Sequence, residues 1–193
     1  MVVLVCSSKL NADEIQVQFS GAVTDSGGVP GWYVGETFTG EFSYSTTDPF
    51  DVSVDGQSTY SLTSPEDSES VSVGSFNLLL QPLTGLHAFV SPGTSSYFLT
   101  QDFAAPGTPY MSLAFYGGSG FLSSQALPDP LNTAAITAGN IAFGFSENNV
   151  AYGVQGNITQ VSTTPEPRSV VWVLGMLALV ALAFRRSFKA FQS

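Results

Sequence analysis

Apolar and polar residues alternate with a period of two along most of the chain between residues 13 and 161. The clearest stretches are Ile15 to Phe19 and Phe38 to Tyr44. Because successive side chains of a β-strand point to opposite faces of a sheet, this alternation predicts strands with one buried face. Apolar segments of similar length predict further strands at 71–80, 86–90, 97–103, 110–116, 141–145 and 150–161.

Turn-forming residues separate these segments. Examples are Asp48-Pro49, Asp55-Gly56 and Ser91-Pro92-Gly93. One short helical turn is predicted at Asn132 to Ala135, the one Ala-rich patch of the region. Eight or more short strands with frequent turns are typical of an all-β domain, and we predict a single β-sandwich over residues 13–161 with a jelly-roll or an immunoglobulin-like strand order.

Two segments at opposite ends of this domain share a Gly-x-apolar-Thr pattern. They are Gly21 to Thr24 and Gly156 to Thr159. The similarity favours the first and last strands as neighbours in the sheet. The chain would then leave the domain close to the place where the domain begins.

The charge distribution of the domain is one-sided. Fourteen Asp and Glu residues lie from Asp13 to Glu147, whereas no Lys or Arg lies between Lys9 and Arg168. A domain with this charge repels other anions, so nucleic acid is excluded as a partner. The same repulsion disfavours acidic polysaccharides unless divalent cations bridge the charges.

The last thirty residues have a different character. A linker at 162–168 contains Pro165, Glu166 and Pro167. It is followed by an uncharged apolar run at 169–184. The basic end at 185–193 contains Arg185, Arg186 and Lys189. As a helix the apolar run would be about 24 Å long, which is enough for a short membrane span. The basic residues predict a cytoplasmic C-terminus and an exported domain.

The order of tripeptide, apolar run and basic end resembles the PEP-CTERM sorting signal of surface proteins from exopolysaccharide-producing bacteria. The resemblance covers residues 163–193. It implies that an exosortase-type membrane transpeptidase reads Pro165, Glu166 and Pro167 and processes the tail. The chain would therefore be a non-enzymatic protein of the cell surface or extracellular matrix, with extracellular polysaccharide as a candidate partner. Residues 1–12 are interpreted as the truncated remnant of a signal peptide.

Residues suited to catalysis are few. His87 is the only histidine and Cys6 the only cysteine, and Cys6 lies in the signal-peptide remnant. A Ser-His-Asp triad would need His87, and a zinc site would need more nitrogen or sulfur ligands. We therefore expect no enzyme activity. An extracellular carbohydrate-active hydrolase on a jelly-roll frame, acting through two carboxylates, is the alternative.

Calcium is the cation that the acidic residues favour, because hard cations prefer oxygen ligands. Asp48, Asp51 and Asp55 lie in one turn-rich segment and are the candidate ligands. Glu66, Asp67 and Glu69 form a second acidic cluster, for which a solvated loop at 58–70 is the alternative interpretation. Neither cluster has the spacing of an EF-hand.

A loop tryptophan and tyrosine supply the candidate glycan contact. Trp32 and Tyr33 follow Pro30-Gly31 in a turn-rich segment, and aromatic rings of this kind can stack on sugars. The alternative is that the pair closes one end of the hydrophobic core. A carbohydrate-binding module is thus a further possible function of the domain.

Overall fold

The computed structural model describes residues 14–65, 67–80, 86–93, 96–102, 108–147 and 150–163. Within these ranges the chain forms β-strands and one short 3₁₀ helix, so the prediction of an all-β domain is confirmed. The strands are β1 (Glu14–Asp25), β2 (Thr37–Ser45), β3 (Phe50–Val54), β4 (Gln57–Ser61), β5 (Ser68–Val73), β6 (Phe76–Leu80), β7 (Leu86–Ser91), β8 (Ser96–Asp102), β9 (Tyr110–Gly117), β10 (Ile136–Glu147) and β11 (Val150–Thr163).

All eleven strands belong to one antiparallel sheet, in the order β3-β4-β7-β8-β9-β10-β11-β1-β2-β5-β6. Its edges are β3 and β6. The sheet is continuous, whereas the sequence led us to expect two separate sheets. Most neighbours in the order are also neighbours in sequence, and β11 lies in the middle of the sheet.

The expected pairing of the first and last strands is confirmed. β1 lies antiparallel to β11, and the two segments that share the Gly-x-apolar-Thr pattern face each other, with Gly21 opposite Ile158 and Val23 opposite Gly156. The domain therefore ends beside its own first strand. β11 continues to Thr163, two residues past the predicted boundary at 161.

One face of the sheet is apolar and packs against itself. Phe42 on β2 stacks on Phe98 of β8 and on Phe115 of β9, with ring centroids 5.7 and 5.9 Å apart. In the strand order β2 and β8 are separated by four intervening strands, so these rings meet only because the sheet curls. The curl gives the domain one hydrophobic core, and most strands turn alternate residues to the outer face.

Phe38 explains why two glycines interrupt the apolar face. Its ring lies over Gly21 of β1 and Gly156 of β11, where an added Cβ would come within 2.6 Å and 2.4 Å of the ring carbons. The missing side chains leave the space that the ring fills. The burial of Phe38 thus depends on glycine at both positions.

The structure corrects three local predictions. The segment predicted as one strand at 71–80 is the hairpin of β5 and β6, which turns at Gly74 with φ of 57°. β3 and β4 were not predicted, although their Asp55-Gly56 turn was, and both turn residues have positive φ (51° and 82°). The interpretation of 58–70 as a loop is wrong, because it contains β4 and the start of β5. The helical turn is confirmed as a 3₁₀ helix at Thr133–Ala135.

Candidate functional site

The predicted sorting signal lies outside the described residues. This holds for Pro165, Glu166 and Pro167, for the apolar run at 169–184, and for the basic residues Arg185, Arg186 and Lys189. In the described ranges, no helix has the length and hydrophobicity to cross a membrane. The last described residue, Thr163, precedes the tripeptide by two positions.

Trp32 is half-buried and packs against the hydrophobic core. Its ring makes an edge contact with Phe76, at a centroid distance of 5.3 Å, and tilted contacts with Phe143 and Phe145. Tyr33 points away and is 64% exposed. The two side chains therefore do not form one aromatic platform. The packing of Trp32 favours the interpretation that this loop closes one end of the hydrophobic core. Of the two residues, Tyr33 is the one exposed to solvent.

Asp48, Asp51 and Asp55 have different surroundings. Asp48 is 5% exposed and accepts hydrogen bonds from Ser45 and Ser64. Asp51 is exposed on β3, and Asp55 lies at the tip of the β3–β4 turn. Among the described residues, no group of three or more His, Cys, Asp or Glu side chains is arranged to hold a metal ion. The calcium site stays a prediction without a coordinating cluster in this part of the chain.

Asp48 and Asp67 instead bind the backbone of two turns. Asp48 accepts from the N–H of Ser45 at 3.2 Å, and Asp67 accepts from the N–H of Ser64 at 2.6 Å. Each turn also binds the other aspartate: Asp67 accepts from the N–H of Ser45 at 3.0 Å, and Asp48 accepts from the Ser64 hydroxyl at 2.7 Å. Buried carboxylates are thus held by backbone and hydroxyl donors in the absence of basic residues.

The sequence contains a signal for this arrangement that the alternation of apolar and polar residues does not reveal. Both turns have the pattern Ser-x-x-Asp, at residues 45–48 and at residues 64–67. In each turn the backbone N–H of the aspartate also bonds the carbonyl of the serine. In each turn the carboxylate accepts a hydrogen bond from the backbone N–H three positions earlier. The side chain of a capping residue accepts a hydrogen bond from a free N–H at the start of a helix in the same way.

His87 on β7 contacts a carboxylate. Its Nδ1 lies 3.2 Å from Oδ2 of Asp51, and the Ser61 hydroxyl donates to the same oxygen at 2.8 Å. In a catalytic triad the hydroxyl donates to the imidazole, which then takes its proton. Here the hydroxyl's hydrogen bond goes to the carboxylate. Asp51 thus has two hydrogen-bond partners, and these contacts link the edge strand β3 to β4 and β7.

Tyr44 carries a strongly perturbed hydroxyl. The side chain is fully buried, and its hydroxyl donates to the carbonyl of Pro128 at 2.6 Å. Burial raises the pKa of Tyr44 well above its ordinary value, because the phenolate would be poorly solvated, and the negative charge of Asp129 raises it further. The group is therefore a neutral hydrogen-bond donor that ties β2 to the loop before the 3₁₀ helix.

An open groove of about 560 Å³ lies on the outer face of β11, β1, β2 and β5. The register places Ser20, Thr39 and Ser72 in one row across its floor, and the longer Gln18 and Glu41 lie opposite each other in the next row. Short hydroxyl side chains beside longer amide and carboxylate side chains produce the depression.

Glu41 is held by two amides. Gln16 donates to its Oε1 at 2.8 Å, and Gln18 donates to its Oε2 at 3.2 Å. Both carboxylate oxygens therefore have a donor on the neighbouring strand. This arrangement keeps the carboxylate on the surface of β2 and satisfies part of its hydrogen-bonding capacity.

A second groove, of about 330 Å³, continues along β10 and β11. It is lined by Thr137, Ala138 and Thr159, and it shares Gln160 with the first groove. Tyr116 of β9 pairs with Ala138, which lines this groove, and Tyr116 is 41% exposed. The two grooves and the tyrosine thus form a polar strip across six neighbouring strands, β9, β10, β11, β1, β2 and β5.

The comparisons add no relative to this description. No family model matches the chain, and neither a curated protein nor a solved structure is found to be similar to it.

Proposed function

We propose that the chain is an exported, non-enzymatic protein of the bacterial cell surface or extracellular matrix. In this proposal residues 163–193 are a PEP-CTERM signal. An exosortase-type enzyme reads Pro165, Glu166 and Pro167, while the helix at 169–184 holds the precursor in the membrane with its basic end in the cytoplasm. Residues 14–163 are the cargo, which reaches the envelope and then the surface.

The observation that carries this proposal is the order of tripeptide, apolar run and basic end in the last thirty residues. In the described part of the chain β11 continues to Thr163, and the tripeptide begins two residues later, so the motif does not overlap the described strands. The self-packed sheet also supports a two-layered, sandwich-like passenger of the kind that the sequence predicts.

The surroundings of the ionisable groups support a non-enzymatic role. Asp48 and Asp67 are buried within the fold, where they bind backbone N–H groups. Asp51 accepts from His87 and Ser61. The hydrogen bonds of these carboxylates stabilise turns and the edge of the sheet. This structural role explains why the acids are there without assigning them a catalytic role.

The test is the mass of the protein recovered from its native envelope after trypsin digestion. Because no Lys or Arg lies between Lys9 and Arg168, trypsin releases nearly the whole domain as one fragment. We expect this fragment to end near Pro167 in cells that contain the exosortase. In cells without the enzyme, or in a variant with all three motif residues changed to Ala, it should end at Arg168. A wild-type fragment that ends at Arg168 in both strains would contradict the proposal.

A further inference from the structure

The lining of the two grooves is almost uncharged although the chain as a whole is strongly acidic. Among the described residues that line them, Glu41 is the one ionisable side chain, and the chain carries a net charge of −10. An anionic ligand would meet no cation here and would be repelled by the rest of the domain. A cationic ligand would meet one carboxylate, which two amides already bind. The lining therefore suits an uncharged ligand.

The hydrogen-bonding groups of the lining suit hydroxyl groups in particular. Ser20 donates to Oε1 of Gln160 at 3.4 Å, and Thr159 donates to the carbonyl of Ser20 at 3.4 Å. The hydroxyl lone pairs that remain can accept hydrogen bonds, and the amide NH₂ of Gln160 can donate them. A sugar hydroxyl both donates and accepts, so it can use both kinds of group.

The size of the strip indicates a polymer. From Tyr116 on β9 to Thr39 on β2 there are four strand spacings, which amount to about 19 Å. This length exceeds that of a single sugar ring. Tyr116 is 41% exposed at one end of the strip and packs beside the ring of Tyr97 at a centroid distance of 6.5 Å. The exposed part of its ring can stack on the C–H face of a sugar.

We propose that this strip binds a neutral polysaccharide chain, which lies across β11 with Gln160 at the junction of the two grooves and with Tyr116 at one end. The polymer is recognised by hydroxyl and amide hydrogen bonds and by one aromatic contact. Binding does not depend on how the tail is processed, so the proposal stands apart from the sorting function.

The experiment is native affinity electrophoresis of the full chain in mild detergent, in gels that contain hydroxyethylcellulose, dextran, pullulan or alginate. The first three polymers are neutral, and alginate is acidic. We expect at least one neutral polymer to retard the wild type. Gln160→Ala and Tyr116→Ala should each weaken the interaction about fivefold or more, since each removes one contact worth about 1 kcal/mol. Thr39→Arg should block the floor of the first groove and abolish retardation.

Matched controls separate the strip from the rest of the surface. Tyr33→Ala removes an aromatic ring that is 64% exposed outside the strip, and Ser119→Arg adds the same charge at an exposed loop position. Both should bind like the wild type. The melting temperature of every variant is measured in parallel, and Gln160→Ala, an exposed substitution, keeps the test decisive if Thr39→Arg does not fold.

Three results would overturn the proposal. The first is that no neutral polymer retards the wild type. The second is that only alginate does so, with added calcium, because cation bridging would then explain binding. The third is a loss of binding in Tyr33→Ala but not in Gln160→Ala or Tyr116→Ala, which would place the ligand on the loop of Trp32 and Tyr33.

Discussion

Asp48 and Asp67 accept hydrogen bonds from the same backbone N–H, that of Ser45, at 3.2 and 3.0 Å. Each aspartate ends a Ser-x-x-Asp turn and binds a donor of its own turn and a donor of the other. The loop after β2 and the loop before β5 are thereby joined through carboxylates. Chains with many basic residues usually hold buried carboxylates with Arg or Lys, whereas this domain uses backbone and hydroxyl donors.

Replacing Asp67 should strongly destabilise the protein. Asp67→Ala leaves the N–H groups of Ser45 and Ser64 without this acceptor, and hydrogen bonds to a charged group contribute about 1.5–3 kcal/mol each. We expect the free energy of unfolding of the full-length protein, measured by urea titration, to fall by about 3 kcal/mol. Asp25→Ala, which removes an exposed contact with the N–H of Gly27, is the control and should cost less than about 1 kcal/mol. Equal losses in the two variants would refute the role of the paired turns.

The two glycines under Phe38 should not tolerate a methyl group. Gly156→Ala places a Cβ 2.4 Å from the ring, and Gly21→Ala places one 2.0 Å from the carbonyl oxygen of Asn157. Overpacking of this kind costs about 1–3 kcal/mol, and we expect a lower melting temperature for both variants. Gly118→Ala is the control, because an added Cβ there meets no atom within 4 Å. A melting temperature unchanged in all three variants would contradict the packing of Phe38.

The stability of the protein should fall at alkaline pH through Tyr44. Its pKa is raised in the folded protein above the ordinary value of 10.0, so the unfolded chain loses the phenol proton first. The stabilising effect is therefore complete below pH 10.0 and decreases as the pH rises above this value. Tyr44→Phe, which loses the bond to Pro128, should cost about 1 kcal/mol at neutral pH and should show a weaker decline above pH 10.0 than the wild type.

The control for this pH series is Tyr33→Phe, since Tyr33 is exposed and its ring has no place in the core. Its unfolding free energy should follow that of the wild type at every pH. If Tyr44→Phe and the wild type lost stability in parallel between neutral and strongly alkaline pH, the proposed burial of the Tyr44 hydroxyl would be wrong.

Trp32 and Tyr33 should differ sharply in their contribution to stability. Trp32→Ala removes a ring that packs on Phe76, Phe143 and Phe145 and should lower the unfolding free energy by about 3 kcal/mol. Tyr33→Ala should change it by less than about 0.5 kcal/mol. Chemical denaturation followed by circular dichroism measures both. A stable Trp32→Ala variant would favour a surface role for the tryptophan.

The elements with simple period-two alternation could be predicted from the sequence. β1, β2 and β7 have regular apolar positions, and the Gly-x-apolar-Thr similarity indicated the pairing of β1 with β11. Here local pattern and tertiary environment agree, because each strand has one buried and one exposed face. The Asp55-Gly56 turn was equally predictable, since few residue pairs adopt positive φ at both positions.

Three features could not be predicted from the pattern alone. β3 is an edge strand with every residue exposed, so Phe50 and Val52 alternate with polar residues without facing the core. Asp67 also accepts a hydrogen bond from the N–H of Ser45, twenty-two positions earlier, and a long-range contact of this kind leaves no local periodicity. The grooves could not be predicted for the same reason, because their lining comes from strands that are distant in sequence.

The central position of β11 determines how the domain responds to tension. A pull on the chain at Thr163 first loads the end of β11, which pairs with β1 alone, whereas the strand up to Ile158 lies between β10 and β1. That inner part is bonded on both sides, so more hydrogen bonds resist its removal than hold an edge strand. If the tail holds the protein to a cell, hydrodynamic drag on the domain acts through this strand, and force spectroscopy with the load applied at Thr163 would measure its resistance.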